Sequence, residues 1–287
     1  MNLFPLQSTL RDAVEITGVG LHSGARVGMT LRPAPANTGV RLRRVDLPAE
    51  PEIPALISAV VRTQLATTLS AGAAQVATVE HVLSALMGLG VDNVVVELDS
   101  FEVPIMDGSA RPLVEQILIA GLDPQDAPRR VFRVDRALRV GSEDRWVRVE
   151  PAETLVVDLT LDYAHSSIGR QQRVYEHSAD QYVSQIAPAR TFTTQQDLDA
   201  VRAAGFGRGG SLDNAVVATD DGVANPEGLR FADEFVRHKI LDVLGDFALI
   251  GGPIVGKITA YRSGHETNCL AVQALLDQQA GQWQSLA

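Results

Sequence analysis

Only one cysteine, Cys269, occurs in the 287 residues. A lone thiol excludes a disulfide framework and any multi-thiolate metal site, and it reads as a buried, inert side chain. Any metal must therefore be held by histidine and carboxylate. No basic cluster exceeds Arg41-Leu42-Arg43-Arg44, and 25 basic against 35 acidic residues give a formal charge of −10, which argues against nucleic acid as a partner. An anionic substrate would need basic residues gathered locally. Long apolar runs are missing too: nothing approaches the ~18 residues of a membrane span, and the N-terminus lacks a basic region followed by an apolar one. A cytoplasmic protein is expected. Its length and its 45% hydrophobic content suit two ordinary cores.

The most informative stretch is Asp233 to Gly252. Val236, Ile240, Val243, Leu244 and Phe247 recur at helical spacing, and Gly251 supplies a stop. On the other side His238, Asp242 and Asp246 follow at i, i+4 and i+8. Such a polar line is ordinarily a solvated helix face. Two aspartates one turn apart, however, oppose helix formation by a few tenths of a kcal/mol unless a cation lies beside them. Phe235 and Leu249 at the ends of the line also speak against a wet surface. Histidine followed one turn later by aspartate is a usable pair of metal ligands.

Along the rest of the chain, strands are expected near Asp12 to Ile16 and Ala25 to Leu31, joined by a glycine-rich turn that carries His22. Residues 40–69 read as an inserted small sheet. Thr78 is a suitable N-cap for a helix with Val79, Val82, Leu83, Leu86 and Met87 at helical spacing, so Glu80 and His81 fall in its first turn. A strand at Val94 to Leu98 precedes a second helix that Asp107 or Ser109 can cap. Asp123-Pro124-Gln125-Asp126-Ala127-Pro128 breaks periodicity and marks a boundary. Further strands, a polar helical piece at 195–204 and the glycine-rich run 205–211 follow, and the segment from Gln278 carries no readable pattern. After His81 and after His238, apolar residues and a glycine recur at offsets 2, 5, 6 and 7. This repeat supports a division into two similar domains, 1–125 and 129–287, with a histidine from each half at a shared interface.

The segments Thr17 to Gly24, Leu31 to Gly39, Thr78 to His81, Pro104 to Ala110, Ala189 to Phe192 and Asp233 to Asp242 together resemble the UDP-3-O-acyl-N-acetylglucosamine deacetylases. These are zinc amidases of the committed step of lipid A synthesis in Gram-negative bacteria, and the similarity spans residues 8 to 275. The resemblance implies an α+β fold of two similar domains with helices sandwiched between two sheets and one insert per domain, about 40–69 and about 193–212. It implies a Zn2+ held by His81, His238 and Asp242, although iron(II) also suits such ligands. Glu80 would be the general base, His265 the general acid kept cationic by Asp246, and Thr191 with Lys239 the partners of the oxyanion. Lys239 and Arg262 would meet the nucleotide and phosphate end, and Tyr163 would stack on a ring. Leu21, Phe192, Gly210, Ser211, Ala215 and Val217 would line the acyl chain. The second insert is more polar than a greasy tunnel, and the 66–69 loop has no cysteine near the metal. A monomer is expected. The competing readings are a zinc amidase for another acylated sugar or amino acid, and a silent protein that binds the glycolipid.

Overall fold

In the computed structural model, which describes residues 5–286, Val14–Val19 and Arg26–Pro33 alternate buried and exposed side chains. That period of two belongs to a sheet with one covered face. The two strands pair antiparallel, Val94–Leu98 joins Arg26–Pro33, and Val40–Arg44 follows in parallel with Glu52–Pro54 at the edge. Residues 40–54 thus complete the five-stranded sheet of the first half rather than leaving it. The separate small sheet there consists of Val60–Arg62, Thr68–Ala71 and Ala74–Ala77.

Helix α1, Glu80–Leu89, starts differently from the expectation. Thr78 lies at φ +60° and its hydroxyl donates to Glu102 over 3.1 Å, so Val79 occupies the N-cap position with no side-chain cap. Helix α2, Arg111–Ala120, starts after Ala110, with the amide of Arg111 donating to the Ser109 hydroxyl and Asp107 accepting from Ser109.

The second sheet is built around Ile254–Tyr261, which lies antiparallel to Trp146–Glu150 and parallel to Leu155–Asp162. Leu138–Gly141 and Arg170–Glu176 extend it on either side. Arg130–Val134 meets the start of Ile254–Tyr261 and pairs on its other edge with Gly281–Ser285. The C-terminal stretch is therefore a strand, specified by its partner rather than by its own pattern. The same holds for Leu122–Pro128, which pairs with Leu6–Leu10 despite its two prolines; tertiary pairing overrides propensity in both places.

Helix α3, Ala179–Gln181, runs into a π-type turn at Tyr182–Ile186. Phe192–Thr194, Val216–Thr219 and Gly222–Val223 make a small sheet, and the short α4, Leu198–Ala203, lies within the intervening segment. Helices α5, Glu234–Phe247, and α6, His265–Asp277, complete the middle layer. α5 packs on α1, on α6 and on the strands 155–162 and 170–176, while α6 covers 138–141 and 146–150. One apolar core runs through both halves between the two sheets. At Gly245 the helices nearly touch: a Cβ there would lie 2.1 Å from the Glu80 carbonyl oxygen. That contact sets the first turn of α1 against the last turns of α5. Among the described residues no helix is long and apolar enough to cross a membrane.

Candidate metal centre

The polar line on α5 is not a solvated face. His238, Asp242 and Asp246 are all buried, and His81 reaches them from the first turn of α1. One ligand atom each from His81, His238 and Asp242 lie within 4.8 Å of one another, with the two imidazoles 5.1 Å apart between centroids. His238 Nδ1 lies 3.0 Å from the carbonyl oxygen of Ala189. A carbonyl can only accept, so Nδ1 carries the proton and Nε2, 3.3 Å from Asp242 Oδ1, keeps a free lone pair. The other oxygen of Asp242 accepts from Lys239 Nζ over 2.7 Å.

Electrostatics prepare these groups for a cation. Burial, aided by His238, pushes His81 down to about 3, and burial also lowers His238. Both rings are neutral at pH 7. Burial opposes charge on Asp242, but Lys239 and His238 outweigh it and hold the carboxyl well below its ordinary range. Lys239 stays cationic in turn, because Asp242 overcomes its own desolvation. His81 Nδ1 is buried without a hydrogen-bond partner. Two neutral imidazoles and one carboxylate, close together and with no thiolate, suit a divalent ion of the zinc type.

Beside the cluster sits an acid–base pair. Burial raises the Glu80 carboxyl to about 7 against the pull of His265, and Glu80 Oε2 accepts from the amide of Thr67 over 3.0 Å. His265 opens α6; its Nε2 is 3.9 Å from Glu80 Oε1 and its Nδ1 2.9 Å from Asp246 Oδ2. Burial works against the imidazolium of His265, yet Asp246 and Glu80 outweigh it and hold its pKa at about 9. Asp246 is fully enclosed and also accepts from the Thr67 hydroxyl at 2.7 Å and from Asn268 at 2.8 Å.

These groups open onto a cavity of about 180 Å³ lined by Leu21, His22, Tyr163, Thr191, Phe192 and Lys239 among others. Of the residues expected to bind substrate, Leu21, Tyr163 and Phe192 line this space, whereas Gly210, Ser211, Ala215, Val217 and Arg262 stand outside its lining. Gly210 remains adjacent: a Cβ there would lie 3.7 Å from Leu21. Phe192 packs edge-on against Phe235 and Tyr163 and borders the ring of His238. A larger cavity, about 310 Å³, lies away from this chemistry; its lining, which includes Leu83, Met87, Arg130 and Trp283, contains no histidine.

Sequence reasoning passed over two supports of the site and placed His22 only in a turn. His22 lines the cavity, and both its ring nitrogens are buried without partners. The fully buried Glu102 accepts from the amides of His22 and Ser23, each at 2.8 Å, and from Thr78, so it ties the glycine-rich loop to the entrance of α1. The loop can close on it because residue 20 is glycine, where a Cβ would lie 2.3 Å from the carboxylate. Thr67 joins Glu80 to Asp246. Neither Glu102 nor Thr67 sits in a periodic pattern that would have singled it out; both act through a neighbour distant in sequence.

A buried imidazole–carboxylate cluster, next to a carboxyl with a raised pKa and a cationic histidine, is the equipment of a metal-dependent hydrolase. The family is specific: the chain belongs to the UDP-3-O-acyl N-acetylglycosamine deacetylases, whose family model matches residues 7–277. It is 47% identical over 282 residues to the UDP-3-O-acyl-N-acetylglucosamine deacetylase of Xanthomonas oryzae pv. oryzae, covering 97% of this chain and 93% of that protein. It is 46% identical over 282 residues to that of Stenotrophomonas maltophilia, with the same coverage. For that of Pseudoalteromonas atlantica the figure is 44% over 277 residues, 96% of this chain and 91% of the relative.

Proposed function

We propose that the chain hydrolyses the N-acetyl group of a UDP-3-O-acyl-N-acetylglucosamine, releasing acetate and the free amine, as a step of lipid A biosynthesis. The observation that carries this reading is the meeting, in one cavity, of the His81, His238 and Asp242 cluster with Glu80 and His265. Zinc held by the three ligands would act as a Lewis acid and lower the pKa of a bound water to about 7. Glu80 is the base that takes the proton from the attacking water. Thr191 and Lys239 border the space where the carbonyl oxygen gathers charge and offer it a hydroxyl and a cation. An amine is a poor leaving group unless protonated, and His265 delivers that proton from Nε2 while Asp246 holds Nδ1.

The same reading assigns Lys239 and Arg262 to the diphosphate and Tyr163 to a ring of the substrate. The acyl chain leaves past Leu21 and Phe192 toward Gly210, Ser211, Ala215 and Val217. The halves divide at about 125–129, so each contributes one ligating histidine, and a monomer holds the whole site.

The test is acetate release from UDP-3-O-acyl-N-acetylglucosamine by metal-stripped protein, with and without stoichiometric zinc. The expected result is no turnover without metal and restored turnover with it. Turnover that ignores metal removal would overturn the reading.

A further inference from the structure

Three residues within the sequence segments described above, Asp107, Arg190 and Glu234, have no role in the chemistry so far, and all three meet in one network. Glu234, in the first turn of α5, is completely buried, as is Arg190. Glu234 Oε1 accepts from Arg190 twice, from Nε at 2.9 Å and from the backbone amide at 3.0 Å, and Oε2 accepts from Nη2 at 3.2 Å. The remaining capacity of Oε2 is filled by the amide of Arg230 at 2.6 Å. Arg190 continues to the carbonyl of Gly228 at 2.6 Å and to Glu227. The guanidinium of Arg230 binds Asp107 at 2.8 Å and the carbonyl of Pro188 at 2.9 Å, which brings in the first half of the chain.

What this clamp holds is the segment Pro188 to Thr191. The carbonyl of Ala189, immediately before Arg190, is the acceptor for His238 Nδ1, and His238 stands one turn beyond Glu234 on the same helix. The amide of Thr191, immediately after Arg190, donates to Gly108 at 2.7 Å, next to Asp107. A buried ion pair is poor grounds for expecting stability, since apolar residues of similar volume often serve as well or better. A bidentate guanidinium–carboxylate pair does, however, fix one backbone against another in distance and in rotation.

We infer that Arg190 and Glu234 are positioning residues for the hydrolytic centre. Their pair sets the Ala189 carbonyl against His238, which fixes the tautomer and plane of that imidazole, and it sets Thr191 at the cavity wall. The inference rests on reading His81, His238 and Asp242 as metal ligands. Groups that orient a ligating histidine typically control affinity by 10- to 100-fold.

The test uses the full chain, loaded with cobalt(II) or with zinc, in the variants Glu234→Gln and Arg190→Lys. The glutamine keeps the shape but loses the charge and one acceptor, and the lysine keeps the charge but loses the planar fork. Expected are a changed cobalt visible absorption spectrum, zinc affinity weakened about 10- to 100-fold in competition with a chelator, and a fall in kcat with little change in KM. Should either variant fail to fold, the other carries the measurement. Variants with a lowered thermal midpoint but wild-type cobalt spectrum and zinc affinity would reduce the pair to a structural role and overturn the inference. Wild-type protein that takes up no cobalt at all would overturn the ligand reading, and the inference with it.

Discussion

The cavity has two unlike walls. One is made by α1, α5 and the start of α6, where Glu80, His81, His238, Asp242 and Asp246 are packed into the interior and most of their polar atoms are spoken for. The other is made by loops that carry Leu21, Leu65 and Tyr163, where Leu65 is 46% and Tyr163 41% exposed. In the proposed reaction the helical wall carries groups whose protonation and angle must be held while bonds change, and the loop wall faces parts of the substrate that only need to be received. Burial is heaviest on the wall where pKa values are displaced and lighter where shape can adapt.

The sharpest way to break this contrast is at the base. Glu80→Ala, with metal content unchanged, should lower kcat on the order of 10²- to 10⁴-fold, read as acetate release. Asp246→Asn comes next. His265 is held at about 9 against an ordinary 6.5, and the variant removes the largest influence raising it. Because the acid must be protonated to work, wild-type rate is lost as pH rises through about 9. In the variant that loss moves toward 6.5, and at pH 8 the rate should fall roughly tenfold or more. A full pH–rate profile checks the direction; an unmoved alkaline limb would sink the assignment. Packing of the helical wall is tested by Gly245→Ala, which forces a methyl against the Glu80 carbonyl. We expect a loss of about 1–3 kcal/mol in stability, measured by denaturant unfolding. The smallest effect should come from the loop wall: Tyr163→Ala raises KM a few-fold and leaves kcat within a factor of about two, as removal of uniform binding does.

The same division explains what could be read from the chain beforehand. The apolar stripe of α5 and the polar line opposite it are local patterns, so helix, ligand pair and second aspartate were all visible at i, i+4 and i+8. Burial of that line was not, because it depends on α1 arriving over Gly245. Thr78 looked like a cap by composition, but the buried carboxylate of Glu102 pulls its hydroxyl away and the backbone follows into positive φ. Strand Leu122–Pro128 reads as a linker until Leu6–Leu10 lies beside it. Thr67 gave no signal at all, since its two contacts are 13 and 179 residues distant. Local periodicity carried the helices and half of the site; contacts between distant segments decided the rest.

The shortage of sulfur has a practical consequence. Every ligating atom offered at the centre is nitrogen or oxygen, and the only thiol, Cys269, lies on the buried side of α6 with its ionisation pushed far up by burial. In the language of hard and soft donors, the pocket offers nothing for which mercury or cuprous ions have a special appetite. No protein ligand can be lost to disulfide formation or to the sulfenic acid ladder. The protein can therefore be reloaded with zinc or cobalt(II) in air without a thiol reductant, and the cobalt form followed by its absorption.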